Sequence, residues 1–134
     1  MFVDASALIA LLSGEREARR VSEALAMAPL RFTSPVAVLE TVLGLTRPDK
    51  FNRSVADVEP LVLEFLETRD IEIRDLPPAA EASRLALLAA HRFRKGRHGL
   101  NLGDCLHYAC AKHYDVPILA TDAEFRLTDI DTVN

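Results

Sequence analysis

The chain has 134 residues, enough for one folded domain to bury about two-thirds of its unfolded surface without disulfides. A hydrophobic fraction of 49% and a charged fraction of 27% are those of an ordinary globular protein and exclude an intrinsically disordered chain. The formal net charge of -4 excludes a protein that holds nucleic acid by an overall positive potential. We therefore expect a single domain over residues 1–134, on which any polyanion must meet a local basic patch.

The cysteines and the first segment indicate the compartment. Cys105 and Cys110 fall within one predicted helix, where they are poor disulfide partners, so a reducing environment is the default. The apolar start MFVDASALIALLSG lacks a basic leader region and carries Asp4, which argues against a signal peptide. No stretch approaches the length of a transmembrane helix. We expect a cytoplasmic protein with no membrane partner.

The first half of the chain alternates short apolar runs with helical patterns. MFVD predicts a strand, and residues 5–13 follow with apolar side chains at helical spacing. A second helix is predicted over residues 15–28, closed by a proline, and LRFT gives the second strand. Ser34 and Pro35 form a strong helix start, a serine cap before a proline, and that helix is expected to run to about Thr46.

The second half continues the alternation. A helix is predicted over residues 54–69, with a late start or a kink because Pro60 lacks a backbone donor. IEIRDL gives the third strand, and the next helix spans residues 79–93 until KGRHG breaks it. Another helix begins at Asn101. VPILAT is then the fourth strand, AEFRL a short turn or helix, and residues 131–134 a last strand.

Strands separated by helices predict the α/β class, here a three-layer α/β/α sandwich with a short, mainly parallel central sheet. Ligands of such sheets bind beyond the carboxyl ends of the strands, where helix N-termini also point. Asp4 ends the first strand, Asp104 opens a helix and Asp122 ends the fourth strand, so all three are expected at that edge. Glu40, the only charged residue in its predicted helix, is the fourth acid expected near it.

Each acid also has a purely structural interpretation. Asp4 and Asp122 suit the caps of the segments that follow them, and Asn101 with Asp104 has the spacing of a capping box. Glu40 suits a solvent-facing helix surface. Together, however, carboxylates at one edge repel one another and raise their own pKa values unless a cation neutralises them. A set of oxygen ligands of this kind is typical of a site for Mg²⁺ or Mn²⁺.

Four segments resemble the motifs of PIN-domain proteins, and among them those of bacterial toxins of the VapC type: VDASALIALL, SPVAVLE, GLNLGDCLHYACAK and PILATDAEFRLTDI. They lie from one end of the chain to the other. The resemblance implies the PIN fold and a metal-dependent endoribonuclease, the toxin of a type II toxin-antitoxin system. Its substrate would be structured RNA such as tRNA or rRNA, and Mg²⁺ or Mn²⁺ its cofactor.

Carried over position by position, the resemblance implies that the catalytic, metal-binding acids are Asp4, Glu40, Asp104 and Asp122. Glu124 is held as the substitute for Asp122, because members of the family place the last acid at either position. Ser6 and Asn101 also match motif positions and are expected to orient the carboxylates or a metal-bound water.

The chemistry expected of this cluster is hydrolysis of a phosphodiester by a water that the metal activates. No Ser-His-Asp or Cys-His arrangement is convincing in the sequence, which agrees with a water nucleophile. A metal-dependent phosphatase or a phosphoacceptor is a weaker alternative, because it requires a lysine beside the acids and Lys95 and Lys112 are poorly placed. A non-catalytic PIN-like module that binds RNA or protein is the other alternative.

Substrate contact is expected from HRFRKGRH, the segment before the Asp104 helix. Its candidate RNA-binding residues are Arg92, Arg94, Lys95, Arg97 and His98. The alternative is a solvated loop whose cations simply favour the end of the preceding helix.

The helix that follows carries His107, His113 and the two cysteines, residue types that can bind zinc. These side chains point to more than one helix face and lack a paired-ligand spacing, so buried thiols and surface histidines are expected instead.

The resemblance also implies a homodimer and a VapB-type antitoxin whose C-terminal segment lies across the active-site groove. The candidate docking surface comprises the first two helices and the helix over residues 54–69. Its apolar residues are Leu8, Leu11, Leu12, Leu61, Val62 and Phe65. The same side chains equally suit a hydrophobic core.

Overall fold

The computed structural model describes residues 1–133, and its centre is a four-stranded parallel sheet. The strands are β1 (Phe2–Val3), β2 (Phe32–Thr33), β3 (Glu72–Ile73) and β4 (Ile118–Leu119). Their order across the sheet is β3-β2-β1-β4. Phe2 of β1 is paired with Phe32 on one side and with Ile118 on the other, which sets the register.

Six helices connect and cover the strands. They are α1 (Ala5–Ser13), α2 (Ala18–Met27), α3 (Pro35–Thr46), α4 (Val55–Thr68), α5 (Ala79–Phe93) and α6 (Leu102–Tyr114). A short 3-10 helix, Glu124–Leu127, follows β4. Ser34 caps α3 by accepting from the backbone N–H of Ala37, and Ser54 caps α4 in the same way, because these hydroxyls replace the missing intrahelical acceptors.

The sheet separates two hydrophobic layers because successive side chains of a strand point to opposite faces. Val3 and Leu119 lie in the core formed with α1 to α4, whereas Phe2 and Ile118 lie in the core formed with α5 and α6. All four are fully buried. The predicted α/β/α sandwich with a parallel sheet is therefore confirmed.

The strands are shorter than their apolar runs. β1 stops after two residues because Asp4 caps α1, and β3 is an exposed edge strand with one neighbour. The predicted last strand is reduced, among the described residues, to a parallel bridge between Ile118 and Thr132, and Asn134 lies outside the described residues. α2 begins at Ala18 rather than at residue 15, after a turn.

Pro60 neither delays nor interrupts α4, which begins at Val55 and is continuous through it. Pro60 lies on the exposed side of the helix, where the Ala56 carbonyl that loses its intrahelical donor is open to water. Among residues 1–133, no helix has both the length and the apolar character needed to cross a bilayer.

The position of β4 creates a crevice at one edge of the sheet. From β1 the chain passes to β2 and β3 on one side, while β4 pairs in parallel on the other side of β1, so the order in which strands are added reverses between β1 and β4. Ligands of parallel sheets bind outside the carboxyl ends of the strands at such a point. The Asp4 N–H donates to the Leu119 carbonyl at 3.0 Å, which joins the two strand ends that form the crevice.

Candidate metal centre

Asp4 is buried at the floor of the crevice, with 4% of its surface exposed. Its Oδ2 accepts hydrogen bonds from the Ser6 N–H at 3.0 Å and from the Ser6 hydroxyl at 2.6 Å. The same hydroxyl oxygen accepts from the Thr121 N–H at 3.0 Å. Asp4 thus caps α1, as its structural interpretation predicted, while Ser6 fixes its carboxylate against the end of β4.

Asp104 lies in the first turn of α6 and forms a capping box with Asn101. The Asp104 N–H donates to Asn101 Oδ1 at 2.8 Å, and the Asn101 N–H donates to Asp104 Oδ2 at 3.0 Å. Partial burial raises the pKa of Asp104 to about 6, and the charges of Asp4 and Glu124 contribute to the rise. Asp104 therefore fixes the helix start and faces the other acids at once.

Glu40 of α3 reaches the same place through His107 of α6. His107 is fully buried, and its Nε2 lies 2.5 Å from Glu40 Oε1 and 3.6 Å from Asp4 Oδ1. Burial lowers the pKa of His107, but the hydrogen bond to Glu40 and the charges of Asp4, Glu40 and Asp104 outweigh it, so the pKa is raised. Nδ1 is buried without a partner among residues 1–133, which favours the tautomer in which Nε2–H donates to Glu40.

A glycine allows the Glu40 carboxylate to lie against α6. A Cβ at Gly103 would stand 2.8 Å from Glu40 Cδ, closer than real contacts allow. Gly103 therefore supplies the space in which the carboxylate sits between the helix start and His107.

The two candidates for the fourth acid follow β4. Asp122 is exposed on the loop, and Glu124 is half-buried at the start of the 3-10 helix. Partial desolvation raises the pKa of Asp122 to about 6, with further contributions from the charges of Glu124 and Asp4. The charge of Glu124 raises the pKa values of both Asp104 and Asp122, so its carboxylate lies near both acids.

The donor set fits a divalent cation. Ligand atoms of Asp4, Asp104 and His107 all lie within 4.8 Å of one another. Within residues 1–133, no lysine or arginine nitrogen lies within 4.0 Å of a carboxylate of the cluster. Burial is the main cause of the raised pKa values of Asp104 and Asp122, and repulsion between the acids adds to it. A bound cation would offset both effects. Glu40 is held beside this group by His107.

His107 is the site residue that the sequence analysis missed, and the expectation of a surface histidine is wrong for it. It shares a helix face with Asp104 because residues three apart are neighbours on a helix. That spacing was the available signal. The two cysteines are buried and unpaired, as expected, and burial raises the pKa of both thiols. His113 pairs with Glu81 at 3.0 Å, away from the cluster, so the cysteines and histidines form no common site.

The basic segment spans the last turn of α5 and the connection to α6. All five candidate RNA-binding side chains are exposed: Arg92, Arg94, Lys95, Arg97 and His98. The segment is closed by a hydrogen bond from the Leu100 N–H to the Phe93 carbonyl at 2.9 Å, and it ends directly before Asn101. It therefore borders the start of α6 where Asp104 lies.

Lys112 pairs with Asp129 at 2.8 Å, so it does not serve the acids as a phosphatase lysine would.

The predicted docking surface is exposed only in part. Leu8 and Val62 are buried in the core and are unavailable to a partner. Leu61 is 46% exposed and lines a groove of about 310 Å³ with Leu12, Phe51 and Phe65.

Comparison with known proteins gives consistent matches. The model of the PIN domain family matches residues 1–131. Ribonuclease VapC of Mycolicibacterium smegmatis is 35% identical over 136 residues, which cover 100% of this chain and 100% of that protein. Ribonuclease VapC30 of Mycobacterium tuberculosis is 33% identical over 135 residues, covering 99% of this chain and 98% of that protein.

Solved structures share the fold. The crystal structure of Mycobacterium tuberculosis VapC20, described as a sarcin-ricin loop cleaving toxin, has a TM-score of 0.77 at 18% identity and covers 99% of this chain and 98% of its own. A toxin-antitoxin complex from Klebsiella pneumoniae has a TM-score of 0.69 at 19% identity, with coverage of 96% and 92%.

Proposed function

Because the chain belongs to the PIN-domain family and is similar over its whole length to VapC ribonucleases, we propose that it is a ribonuclease toxin that hydrolyses structured RNA with Mg²⁺ or Mn²⁺. The observation that carries the proposal is the convergence of Asp4, Glu40 and Asp104 around His107 at the crevice between β1 and β4. Three chain segments far apart in sequence meet there, and capping alone does not require them to meet.

The metal ligands we assign are Asp4 and Asp104, with Glu40 beside them and with Asp122 or Glu124 completing the set. A carboxylate set with few nitrogen donors suits a hard divalent ion. When bound, such an ion polarises a phosphoryl oxygen and lowers the pKa of the attacking water.

The chain's own residues prepare the site for that chemistry. Ser6 holds the Asp4 carboxylate in one orientation by two hydrogen bonds, and the Asn101 N–H holds the Asp104 carboxylate by one. His107 orients Glu40 from the buried side, and 35% of the Glu40 side chain remains exposed. Because these contacts exist before a ligand arrives, little reorganisation opposes binding.

The partners we propose are RNA, a VapB-type antitoxin and a second copy of the chain, all in the cytoplasm, with the whole chain acting as one domain. The antitoxin proposal is supported by the similarity to VapC proteins and by the fold shared with a toxin-antitoxin complex. The groove that contains Leu61 is the apolar surface we assign to it. The exposed segment around Arg94 is assigned to RNA.

The test is cleavage of a pool of tRNAs and ribosomal RNA fragments by the purified, antitoxin-free protein. Reactions contain Mn²⁺, Mg²⁺ or EDTA, and Asp104→Asn is run alongside with Asp75→Asn as the matched control at the far edge of the sheet. We expect cleavage with either metal by the wild type and the control, and none in EDTA or with Asp104→Asn. Folded protein that cuts nothing in any metal would move the function to a non-catalytic binding module.

A further inference from the structure

A second concave surface adjoins the acid cluster. A cavity of about 430 Å³ is lined by Arg16, Glu17, Arg20, Thr121 and Arg126. The first two residues lie in the turn before α2, Arg20 lies on α2, and Arg126 lies on the short 3-10 helix after β4. Three guanidinium groups from separate segments thus face one space, in a chain whose net charge is -4.

The three arginines differ in how they are held. Arg20 is half-buried and donates to the carbonyls of Ala120 and Val133, both at 3.4 Å, so it forms part of the cavity wall. Arg16 and Arg126 are exposed, and across residues 1–133 neither has a carboxylate oxygen within 4.0 Å. Arg19, by contrast, is paired with Glu23 at 3.0 Å on the same helix.

The wall of the cavity is linked to the metal centre by hydrogen bonds. The Thr121 N–H donates to the Ser6 hydroxyl at 3.0 Å, and that hydroxyl donates to Asp4 Oδ2 at 2.6 Å. Two hydrogen bonds therefore separate the cavity wall from Asp4, and Asp122 is the residue after Thr121. An anion in the cavity would lie beside whatever occupies the acid cluster.

We propose that Arg16 and Arg126 bind a backbone phosphate of the RNA next to the phosphate that is cut. The inference rests on the proposed ribonuclease function. Arginine suits this task because its planar group donates two parallel hydrogen bonds to phosphate oxygens. Among the residues that line the cavity, three are arginines and Glu17 is the one acid, so the lining itself carries a net positive charge.

The positions of the two basic surfaces also define a path for the RNA across the acid cluster. The basic segment around Arg94 borders the Asp104 side of the cluster, whereas the arginine cavity borders the Asp122 side. A strand whose reacting phosphate lies at the acids therefore meets a cation on each side. The negative charge of the cluster between them is the part that a divalent ion neutralises.

The test measures RNA binding in EDTA, where the proposed chemistry cannot proceed. The probe is a short fluorescein-labelled single-stranded RNA of mixed sequence, titrated by anisotropy at several salt concentrations. For the Arg16→Gln, Arg126→Gln double variant we expect about a tenfold loss of affinity and a salt slope smaller by about 0.7, the value for one phosphate of a single strand that is no longer neutralised. Arg19→Gln is the matched control and should bind within about twofold of wild type.

The proposal is overturned if the double variant binds the RNA as tightly as wild type does, or if Arg19→Gln loses as much RNA affinity as the double variant. Binding of a polyglutamate peptide is measured in the same way, and a double variant that loses this binding but keeps RNA binding also overturns the proposal. The last result would assign the cavity to an acidic protein segment. Unchanged melting temperatures verify that the variants are folded. Metal-dependent cleavage is measured separately on the wild type. Its absence contradicts the ribonuclease function, whereas cleavage together with normal binding by the double variant contradicts only the arginine site.

Discussion

Replacing Asp104 by asparagine should stabilise the metal-free protein while weakening its affinity for metal. The pKa of Asp104 is raised from 3.8 to about 6, chiefly by burial, so its charged form is disfavoured in the folded state. A shift of about 2 units corresponds to about 3 kcal/mol at full value, and partial exposure reduces this to about 1 kcal/mol. Asparagine keeps an acceptor for the Asn101 N–H, so the capping box loses little.

The sign of this stability change follows from how the protonation of Asp104 depends on pH. Between about pH 4 and pH 6 the folded state binds more protons at Asp104 than the unfolded state does, so the free energy of unfolding falls as pH rises through this window. The destabilisation is then complete at neutral pH. In EDTA at about pH 7.5, Asp104→Asn should melt roughly 3–5 °C above wild type, and the difference should vanish below about pH 4.

The assay is thermal and urea unfolding in EDTA across this pH range, repeated with Mn²⁺. Asp75→Asn, an exposed carboxyl after β3, should follow the wild-type curve. Addition of Mn²⁺ should raise the melting temperature of wild type and of this control more than that of Asp104→Asn. If Asp104→Asn is less stable than wild type at neutral pH, or if Mn²⁺ raises the melting temperatures of both proteins equally, the Asp104 carboxylate does not destabilise the metal-free fold as proposed.

Two further substitutions test how Glu40 is held. Gly103→Ala should displace the Glu40 carboxylate, because the alanine Cβ would stand 2.8 Å from Glu40 Cδ. We expect at least about a fivefold loss of Mn²⁺ affinity by calorimetry. An unchanged affinity would contradict the close packing of Glu40 against Gly103. His107→Leu removes the hydrogen bond to Glu40 at similar volume. Because the pKa of His107 is raised, its ion pair with Glu40 stabilises the wild-type fold below about pH 6.5, and this stabilisation is lost as the pH rises. Between about pH 6 and pH 8.5, the free energy of unfolding in urea should therefore change by about 1 kcal/mol less in the variant than in the wild type. An identical pH profile would remove His107 from the electrostatics of the site.

Local signals in the sequence predicted much of the fold because they act over a few residues. Ser34 with Pro35 determined the start of α3, and Asn101 with Asp104 determined the start of α6. The strand lengths were overestimated, because an apolar run continues into buried loops after its pairing has ended. The α2 start was early because the residues after Gly14 form a turn before the helix, and a charged turn resembles a helical surface in sequence.

The site itself was predictable only in part. The edge of the sheet at which the acids meet followed from the alternation of strands and helices, but the partner of Glu40 did not. His107 is 67 positions from Glu40 in the chain, and their contact depends on how α3 and α6 pack. The space at Gly103 likewise exists only because another helix approaches. Such contacts leave no periodic trace in either segment.

The hydrogen bond between Thr121 and Ser6 joins residues 115 positions apart, and this separation bears on how the protein is made. At ordinary rates of translation, roughly 6–24 s pass between synthesis of the first acid and of the loop after β4. During that interval a nascent chain lacks the pairing of β1 with β4 and so has no assembled crevice. The acid cluster can therefore assemble only after the residues that follow β4 have been made.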